Sequence, residues 1–518
     1  MTRPLLSRLV TGLVVATLFA TGCVQQRRFR FVPAKTSCFP ESATSTPVDG
    51  PPDQKPSLNC RSTQYKMAFI EFDEQGKLFD PQQDAVARKL LDLEKARATD
   101  GKVITVVYVH GWKNNAAEAL PGAKPKDVEK FQSALLELGY RAAQATAATG
   151  RKPVPIVGIY LAWRGKTLMG PNWFTFASLW SRRNSANRIG DGPDLGAVVE
   201  RIINLTNAGN DNSRVLLIGH SFGARVLEHA IESRQIKLYE DARAGAVVRP
   251  RVDLVLYVNS ANDSRLSMAR VQGLRDSGLR VHHPDYRPEE CSGAPDPSVD
   301  PETRAAHCRD YPLLVAITSK GDAATKQLLP IASTINSDRL IPELEKTLPP
   351  LPQTDTFVDP LPSAGKVKKT AAGHFEFLQS HVAREVRCPA LRAAAPREQA
   401  KTAEETIDEA KEQARFERAI HPVCALGDKD CRFVFRTLGD TPTCYQVDQR
   451  QPVETRPPFN TTPFWIMSVE PTVIKDHGDI WNVSFVEMLG QLMAPRGFFE
   501  PMSPRIQLRV GAPPVRQQ

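Results

Sequence analysis

The chain has 518 residues, enough for a large hydrophobic core and for more than one domain. Its hydrophobic content of 41% and charged content of 24% are those of a globular protein. The net charge of +9 is small for this length, and no long basic block with interleaved aromatic residues occurs, so nucleic acid is not an expected partner.

Residues 1–22 have the features of a signal peptide. Two arginines precede an apolar stretch over residues 9–20, and small residues lead to Cys23. This ending resembles a bacterial lipobox, although Ala20 stands where leucine is usual. The resemblance implies lipidation of Cys23 and a membrane anchor; an ordinary cleaved signal and an uncleaved anchor remain alternatives. Because Val24 is not the Asp associated with inner-membrane retention, the outer membrane is favoured, facing the periplasm or the cell surface.

Residues 23–62 are rich in Pro, Ser, Thr and Arg, and we expect them to form a flexible tether. Beyond it, hydrophobic periodicity predicts strands alternating with helices. The predicted strands cover residues 67–72, 77–79, 103–109, 156–163, 215–218, 252–258, 313–318 and 464–469. The predicted helices cover residues 82–98, 126–149, 194–205, a run after Ser221, and 485–492. This alternation predicts an α/β fold with a mostly parallel sheet and helices on both faces.

A long insertion before the last strand interrupts the alternation. We place an insertion or cap at residues 335–460, which contain a proline-rich stretch, a charged helix over residues 397–420 and four cysteines. The core is therefore expected in two parts, residues 63–334 and 461–495, followed by a C-terminal tail over residues 496–518.

The cysteines are typical of a disulfide-stabilised exported protein. Eight remain besides Cys23, all outside residues 101–270, and an even number suits an oxidising compartment. Proximity favours the pairs Cys38–Cys60 and Cys291–Cys308. No C-x-x-C pair is present, so the sequence indicates no zinc site.

The junction Gly219-His220-Ser221-Phe222-Gly223 carries the strongest chemical signal of the chain. An apolar strand ends at this G-x-S-x-G pattern and a helix-compatible run follows it. A serine on such a tight turn takes a strained backbone conformation, which lifts its hydroxyl clear of the sheet beside a helix N-terminus. The alternative is a serine cap at an ordinary Gly-containing turn.

With the loop His110-Gly111-Trp112 and the late segment Asp476-His477-Gly478-Asp479-Ile480, this junction resembles the α/β-hydrolase family. The resemblance is to bacterial serine hydrolases of the esterase and lipase kind, and it covers roughly residues 100–330 and 460–495. It implies a Ser-His-Asp triad in the chain order serine, acid, histidine. Ser221 would be the nucleophile and His477, after the final strand, the base. His374 is the alternative base.

Two aspartates are candidates for the acid of the triad. Asp322 follows the strand predicted over residues 313–318, which is the usual place in the family, and is preferred. Asp263, after the preceding strand, is the alternative. Asp479 is predicted to cap the last helix instead.

The resemblance also implies an oxyanion hole formed by the backbone N–H groups of Trp112 and Phe222. The Trp112 side chain and the aromatic residues of the connector are candidates to line an apolar acyl pocket; the connector residues are Trp173, Phe174, Phe176 and Trp180.

We expect an exported serine hydrolase that acts on an acyl ester, either a small molecule or a lipid, and that requires no metal or organic cofactor. A thioesterase, amidase or acyltransferase activity remains open, because a fold does not fix a function. A non-catalytic scaffold lipoprotein also remains open, as does the oligomeric state.

Overall fold

The computed structural model describes residues 27–33, 38–39, 54–120, 123–147, 151–165, 182–209, 212–244, 250–262, 264–281, 311–328, 370–388, 434–437, 443–450, 462–494, 498–499 and 508–510. The predicted signal peptide, Cys23, the aromatic cluster of the connector and the charged helix of residues 397–420 lie outside these ranges.

Strands and helices alternate over most of the described chain. The strands are β1 (Arg30–Phe31), β2 (Lys55–Pro56), β3 (Leu58–Asn59), β4 (Lys66–Glu71), β5 (Ile104–Val109), β6 (Ile156–Ala162), β7 (Arg214–His220), β8 (Leu254–Val258), β9 (Leu279–Val281), β10 (Leu314–Ser319), β11 (His381–Val386), β12 (Val434–Arg436), β13 (Cys444–Gln449), β14 (Phe464–Val469) and β15 (Leu508–Val510). The helices are α1 (Pro81–Arg97), α2 (Asp127–Ala147), α3 (Pro193–Asn207), α4 (Phe222–Ala230), α5 (Glu232–Arg243), α6 (Ser264–Ser277) and α7 (Val483–Met493). Residues 182–190 are also helical.

Eight strands form one sheet in the order β14-β10-β8-β7-β5-β6-β4-β3. Every neighbouring pair in it is parallel except β3 with β4, which is antiparallel. All residues of β5, β6, β7, β8 and β10 are buried, which explains why these strands are continuous apolar or β-branched runs. The predicted α/β architecture with a mostly parallel sheet is confirmed.

Helices flank this sheet in two groups. Helices α1, α3, α4, α5 and α6 form a row in which each packs on the next, whereas α2 packs with α7. Right-handed crossovers require this separation, because strands from β7 onward are added in one direction and the step from β5 through α2 to β6 runs in the other. None of the helices within the described ranges combines the length and apolar character needed to cross a membrane.

Several elements differ from the sequence prediction. The second strand expected around Gly76 is reduced to a single antiparallel bridge between Phe72 and Leu78. Helices α5 and α6 were not predicted as separate elements. Helix α5 is strongly polar, with only four buried positions, so it lacks a clear apolar stripe.

Part of the predicted insertion packs directly on the edge of the main sheet. Ser380 donates its backbone N–H to the carbonyl of Ile466 in β14, at 2.9 Å, and its hydroxyl accepts the N–H of Ile466 at 3.0 Å. Strands β11, β13 and β12 form a small antiparallel sheet beside it. Described residues of the insertion therefore cover the edge strand β14, whose backbone groups would otherwise be unpaired.

Two disulfides lie within the described ranges, Cys38–Cys60 and Cys388–Cys444. The first is the pair that proximity favoured. The second joins the end of β11 to the start of β13, and a separation of 56 residues gave no indication of it in the sequence. Cys291 and Cys308 lie outside the described residues.

Candidate active site

The residues predicted to be catalytic lie at the carboxyl ends of the parallel strands. Ser221 follows β7, Asp322 follows β10 and His477 follows β14, while His110 follows β5. The direction of strand addition reverses between β5 and β7, and such a reversal opens a crevice at the carboxyl ends of the strands. The topology therefore places residues separated by hundreds of positions in one cleft.

Ser221 lies on a strained turn between β7 and α4. Its backbone has φ 55° and ψ −123°, a conformation that costs a non-glycine residue free energy. Three backbone hydrogen bonds hold it there: its N–H donates to Val258 at 3.0 Å, and its carbonyl accepts from Ala224 at 3.1 Å and from Ala261 at 3.2 Å. A side chain at Gly223 would collide with the carbonyls that end β5, so the fifth position of the motif must be glycine.

Three side chains form a continuous hydrogen-bonded chain across the cleft. Ser221 Oγ lies 2.7 Å from His477 Nε2, and His477 Nδ1 lies 2.9 Å from Asp322 Oδ1. Asp322 is fully buried, whereas the side chain of His477 is 23% exposed. The imidazole therefore joins a buried carboxylate to a serine hydroxyl at the cleft.

The Asp322 carboxylate is kept ionised by its partners. Burial alone would raise its pKa, but the hydrogen bond and charge of His477 and two hydrogen bonds from Thr325 hold the pKa below its ordinary value. Thr325 donates its N–H to Oδ1 at 3.0 Å and its hydroxyl to Oδ2 at 2.5 Å. An ionised carboxylate only accepts hydrogen bonds, so His477 must carry a proton on Nδ1 and offer the lone pair of Nε2 to Ser221.

Hydrogen bonds from two neighbouring strands position the loop that carries His477. Its backbone carbonyl accepts from His220 Nε2 at 2.7 Å and from Asn259 Nδ2 at 3.1 Å. The Asn259 side-chain oxygen in turn accepts the N–H of Ser319 at 2.9 Å, and Asn259 has φ 46°, a left-handed conformation that Asn tolerates. The hydroxyl of Ser319 donates to the carbonyl of Ile474.

His220 and His110 are buried and neutral. Burial lowers the pKa of His220 to about 3, helped by repulsion from His477, and burial lowers the pKa of His110 to about 4. His220 therefore acts as a donor to the His477 carbonyl. His110 Nε2 accepts the N–H of Trp163 at 3.1 Å, and its ring stacks on that of Trp163.

The His110-Gly111-Trp112 loop packs against the serine turn. A Cβ added to Gly111 would lie 2.8 Å from Ser221 Cβ, so the loop backbone touches the turn. Lys113, the next residue after Trp112, has φ 71° and donates its N–H to Gly165 at 2.9 Å. Phe222 is the first residue of α4, and its N–H has no acceptor within the helix. The structure thus brings together the two segments predicted to form an oxyanion hole.

The remaining predicted residues have different positions. His374 does not contact Ser221; its Nε2 lies 3.1 Å from Thr325 Oγ1, on the far side of Asp322. Asp263, the alternative acid, lies outside the described residues. Asp479 was wrongly predicted as the cap of the last helix: Asn482 caps α7 by accepting the N–H of Phe485, and Asp479 accepts from Lys475 and Asn482.

Sequence reasoning missed two contributors to the site, Asn259 and Thr325. Asn259 directly follows β8, and Thr325 lies in the short helical turn Ala324–Leu328 that follows β10, at the edge of the sheet where Ser221 also lies. That position is the signal that was available, since polar residues after parallel strands collect at one edge of a sheet.

Two further features of the described residues bear on the site, the arrangement of possible metal ligands and the position of a cavity. Within the described ranges, no group of three or more His, Cys, Asp and Glu side chains is arranged to hold a metal ion. A cavity of about 190 Å³ lies behind the H-G-W loop, with Phe29, Phe72, Lys113 and Arg164 among its lining residues, and Ser221 is not part of it.

Comparisons with family models, curated proteins and solved structures find no match to the chain.

We expect the free energy of unfolding to fall less steeply with decreasing pH in His220→Gln than in the wild-type protein. Stability from the neutral His220 is fully present above about pH 6.5, and it is lost as pH falls toward about 3, because the unfolded chain binds a proton that the folded one does not. Below about pH 6.5, the free energy of unfolding of the wild-type protein should fall by about 1.4 kcal/mol per pH unit more than that of His220→Gln. Glutamine keeps a donor for the His477 carbonyl and does not titrate.

Urea unfolding of both proteins between pH 7 and pH 4 measures this difference. Parallel stability curves would contradict the neutral, buried state assigned to His220.

Proposed function

We propose that this protein is a serine hydrolase of the α/β-hydrolase fold, which cleaves carboxylic esters through an acyl-enzyme formed on Ser221. One observation carries the proposal: Ser221 Oγ, His477 and Asp322 are joined by hydrogen bonds of 2.7 and 2.9 Å. A serine hydroxyl is a weak nucleophile at neutral pH, and it becomes a stronger one when the lone pair of the adjacent imidazole accepts its proton during the attack.

The first half of the reaction uses the three side chains in turn. Ser221 Oγ attacks the ester carbonyl carbon while its proton passes to His477 Nε2. The resulting imidazolium donates from Nδ1 to the ionised Asp322, which stabilises its charge. When the tetrahedral intermediate collapses, the C–O bond to the alcohol breaks and His477 returns the proton to the departing oxygen.

The second half repeats these steps with water. His477 accepts a proton from a water molecule that attacks the acyl carbon, the carboxylic acid forms, and Ser221 recovers its proton. No metal or organic cofactor is required by either half.

The negative charge on the carbonyl oxygen needs donors placed beside Ser221. The N–H of Phe222 opens helix α4, whose N-terminus favours negative charge. The N–H of Trp112 follows Gly111, whose backbone touches Ser221. One such donor is worth about 3–4 kcal/mol in the transition state.

The positions of the three residues in the sheet support the proposed α/β-hydrolase fold. The serine follows a central strand of the parallel sheet, the acid follows a strand nearer the edge, and the base follows the edge strand β14. This is the order serine, acid, histidine along the chain that α/β-hydrolases use.

Replacing the nucleophile tests the proposal directly. A fluorophosphonate probe reacts covalently with an activated serine, so it should label the wild-type protein and leave Ser221→Ala unlabelled. Ser260→Ala, a buried serine close in sequence to the site, serves as the matched control and should label like wild type. Absence of labelling on folded wild-type protein would exclude the hydrolase.

The acid is tested by Asp322→Asn. The amide cannot stabilise the imidazolium or fix its tautomer, so kcat on p-nitrophenyl esters should fall by about 10⁴-fold. Asp479→Asn is the control, because Asp479 lies two residues from His477 but bonds to Lys475 and Asn482. An unchanged kcat in Asp322→Asn would transfer the role to another carboxylate, with Asp263→Asn as the next variant.

The substrate is proposed to be a small-molecule or lipid ester reached from a membrane surface. The lipobox-like ending at Cys23 supports export, lipidation and an outer-membrane anchor facing the periplasm or the cell surface.

Mature protein should enter the detergent phase of a detergent partition, and Cys23→Ser should remain in the aqueous phase. Wild-type protein in the aqueous phase would refute lipidation.

A further inference from the structure

Asp322 has a second side-chain neighbour beyond the triad. Its Oδ2 accepts the hydroxyl of Thr325 at 2.5 Å, and that hydroxyl oxygen lies 3.1 Å from His374 Nε2. The hydrogen-bonded chain therefore continues past the carboxylate to a histidine of the predicted insertion.

The direction of each bond in this chain is fixed by proton counting. A threonine hydroxyl has one proton, and the ionised Asp322 can only accept, so that proton points to Oδ2. The Thr325 oxygen is then free only to accept, and His374 must carry its proton on Nε2. Burial lowers the pKa of His374, partly offset by the charge of Asp322 and by a hydrogen bond to the Asp322 backbone, so the ring is neutral at neutral pH.

The backbone around His374 is held on the sheet by several contacts. Gly373 packs so closely on Thr318 of β10 that a side chain there would collide with it. The Gly373 carbonyl accepts from Gln379 Nε2 at 2.6 Å, and that amide also reaches Ser468 of β14 at 3.2 Å. The carbonyl of Thr370 accepts the N–H of Ser264 at 2.9 Å. These contacts hold the backbone on either side of His374 against β10, β14 and the start of α6.

We propose that His374 and Thr325 are positioning residues that orient the Asp322 carboxylate, so that the insertion takes part in setting the triad. Donation from His374 polarises the Thr325 hydroxyl and strengthens its bond to Oδ2, since linked hydrogen bonds reinforce one another. Oδ1 is thereby kept directed at His477 Nδ1. The inference rests on the proposed role of Asp322 as the acid.

A double-mutant cycle on kcat separates this role from general packing. Thr325→Val removes the hydroxyl at constant shape and should lower kcat by about ten- to a hundredfold, with KM little changed. His374→Leu should lower kcat by about three- to tenfold. On this proposal the effect of His374 on the carboxylate passes through the Thr325 hydroxyl, so adding His374→Leu to Thr325→Val should cost nothing further.

Conservative variants and a matched control sharpen the cycle. Thr325→Ser and His374→Gln each retain a donor and should recover most of the lost kcat. His381→Gln alters another buried histidine of the same segment, which stacks on Trp465 and does not reach Thr325, and its kcat should stay at the wild-type level. Multiplicative losses in the double variant, or equal losses in His381→Gln, would overturn the inference.

Nitrogen NMR of the histidine side chains tests the same chain without turnover. His374 should be the Nε2–H tautomer, and its Nε2–H resonance should shift in Thr325→Val. An Nδ1–H tautomer for His374 would overturn the inference even if the protein hydrolyses esters. Failure of the fluorophosphonate test would remove the proposed hydrolase function, whereas an additive cycle in an active enzyme removes only the positioning role.

Discussion

The backbone carbonyl of His477 is the point at which the separate parts of the candidate site are joined. It accepts one hydrogen bond from His220, beside the nucleophile, and another from Asn259, which also bonds to the end of the acid's strand. These bonds fix the backbone of His477, so that Nε2 of its ring contacts Ser221 and Nδ1 contacts Asp322. The loop that carries His477 is also held by the hydroxyl of Ser319, which donates to the carbonyl of Ile474.

Much of the architecture could be predicted from the sequence because the strands are buried on both faces. Continuous runs such as Ile104–Val109 and Ile156–Ala162 leave a parallel sheet as the natural structure, and the glycine-flanked Ser221 fixes where one strand turns into a helix. The expectation that Ser221, Asp322 and His477 form one site came from the family resemblance, which implies both their places after strands and the order of their roles.

The sequence did not reveal interactions whose partners are distant and individually ordinary. Asn259 and Thr325 are polar residues of common type, and their importance appears only when β8, β10 and β14 lie side by side. The Cys388–Cys444 pair depends on the antiparallel register of β11 and β13, which no local pattern encodes. Helix α5 escaped prediction because its polar surface lacks an apolar stripe.

The location of β14 has a consequence for the order in which the molecule matures. It is an edge strand of the main sheet, and it is synthesised after the serine turn and the acid's strand, with the base just behind it. A nascent chain that ends before residue 464 contains the serine turn and its neighbouring strands, yet the hydroxyl has no acceptor for its proton. On the proposed mechanism, such a chain is inert toward the acyl groups of its surroundings until β14 and the loop that carries His477 have docked.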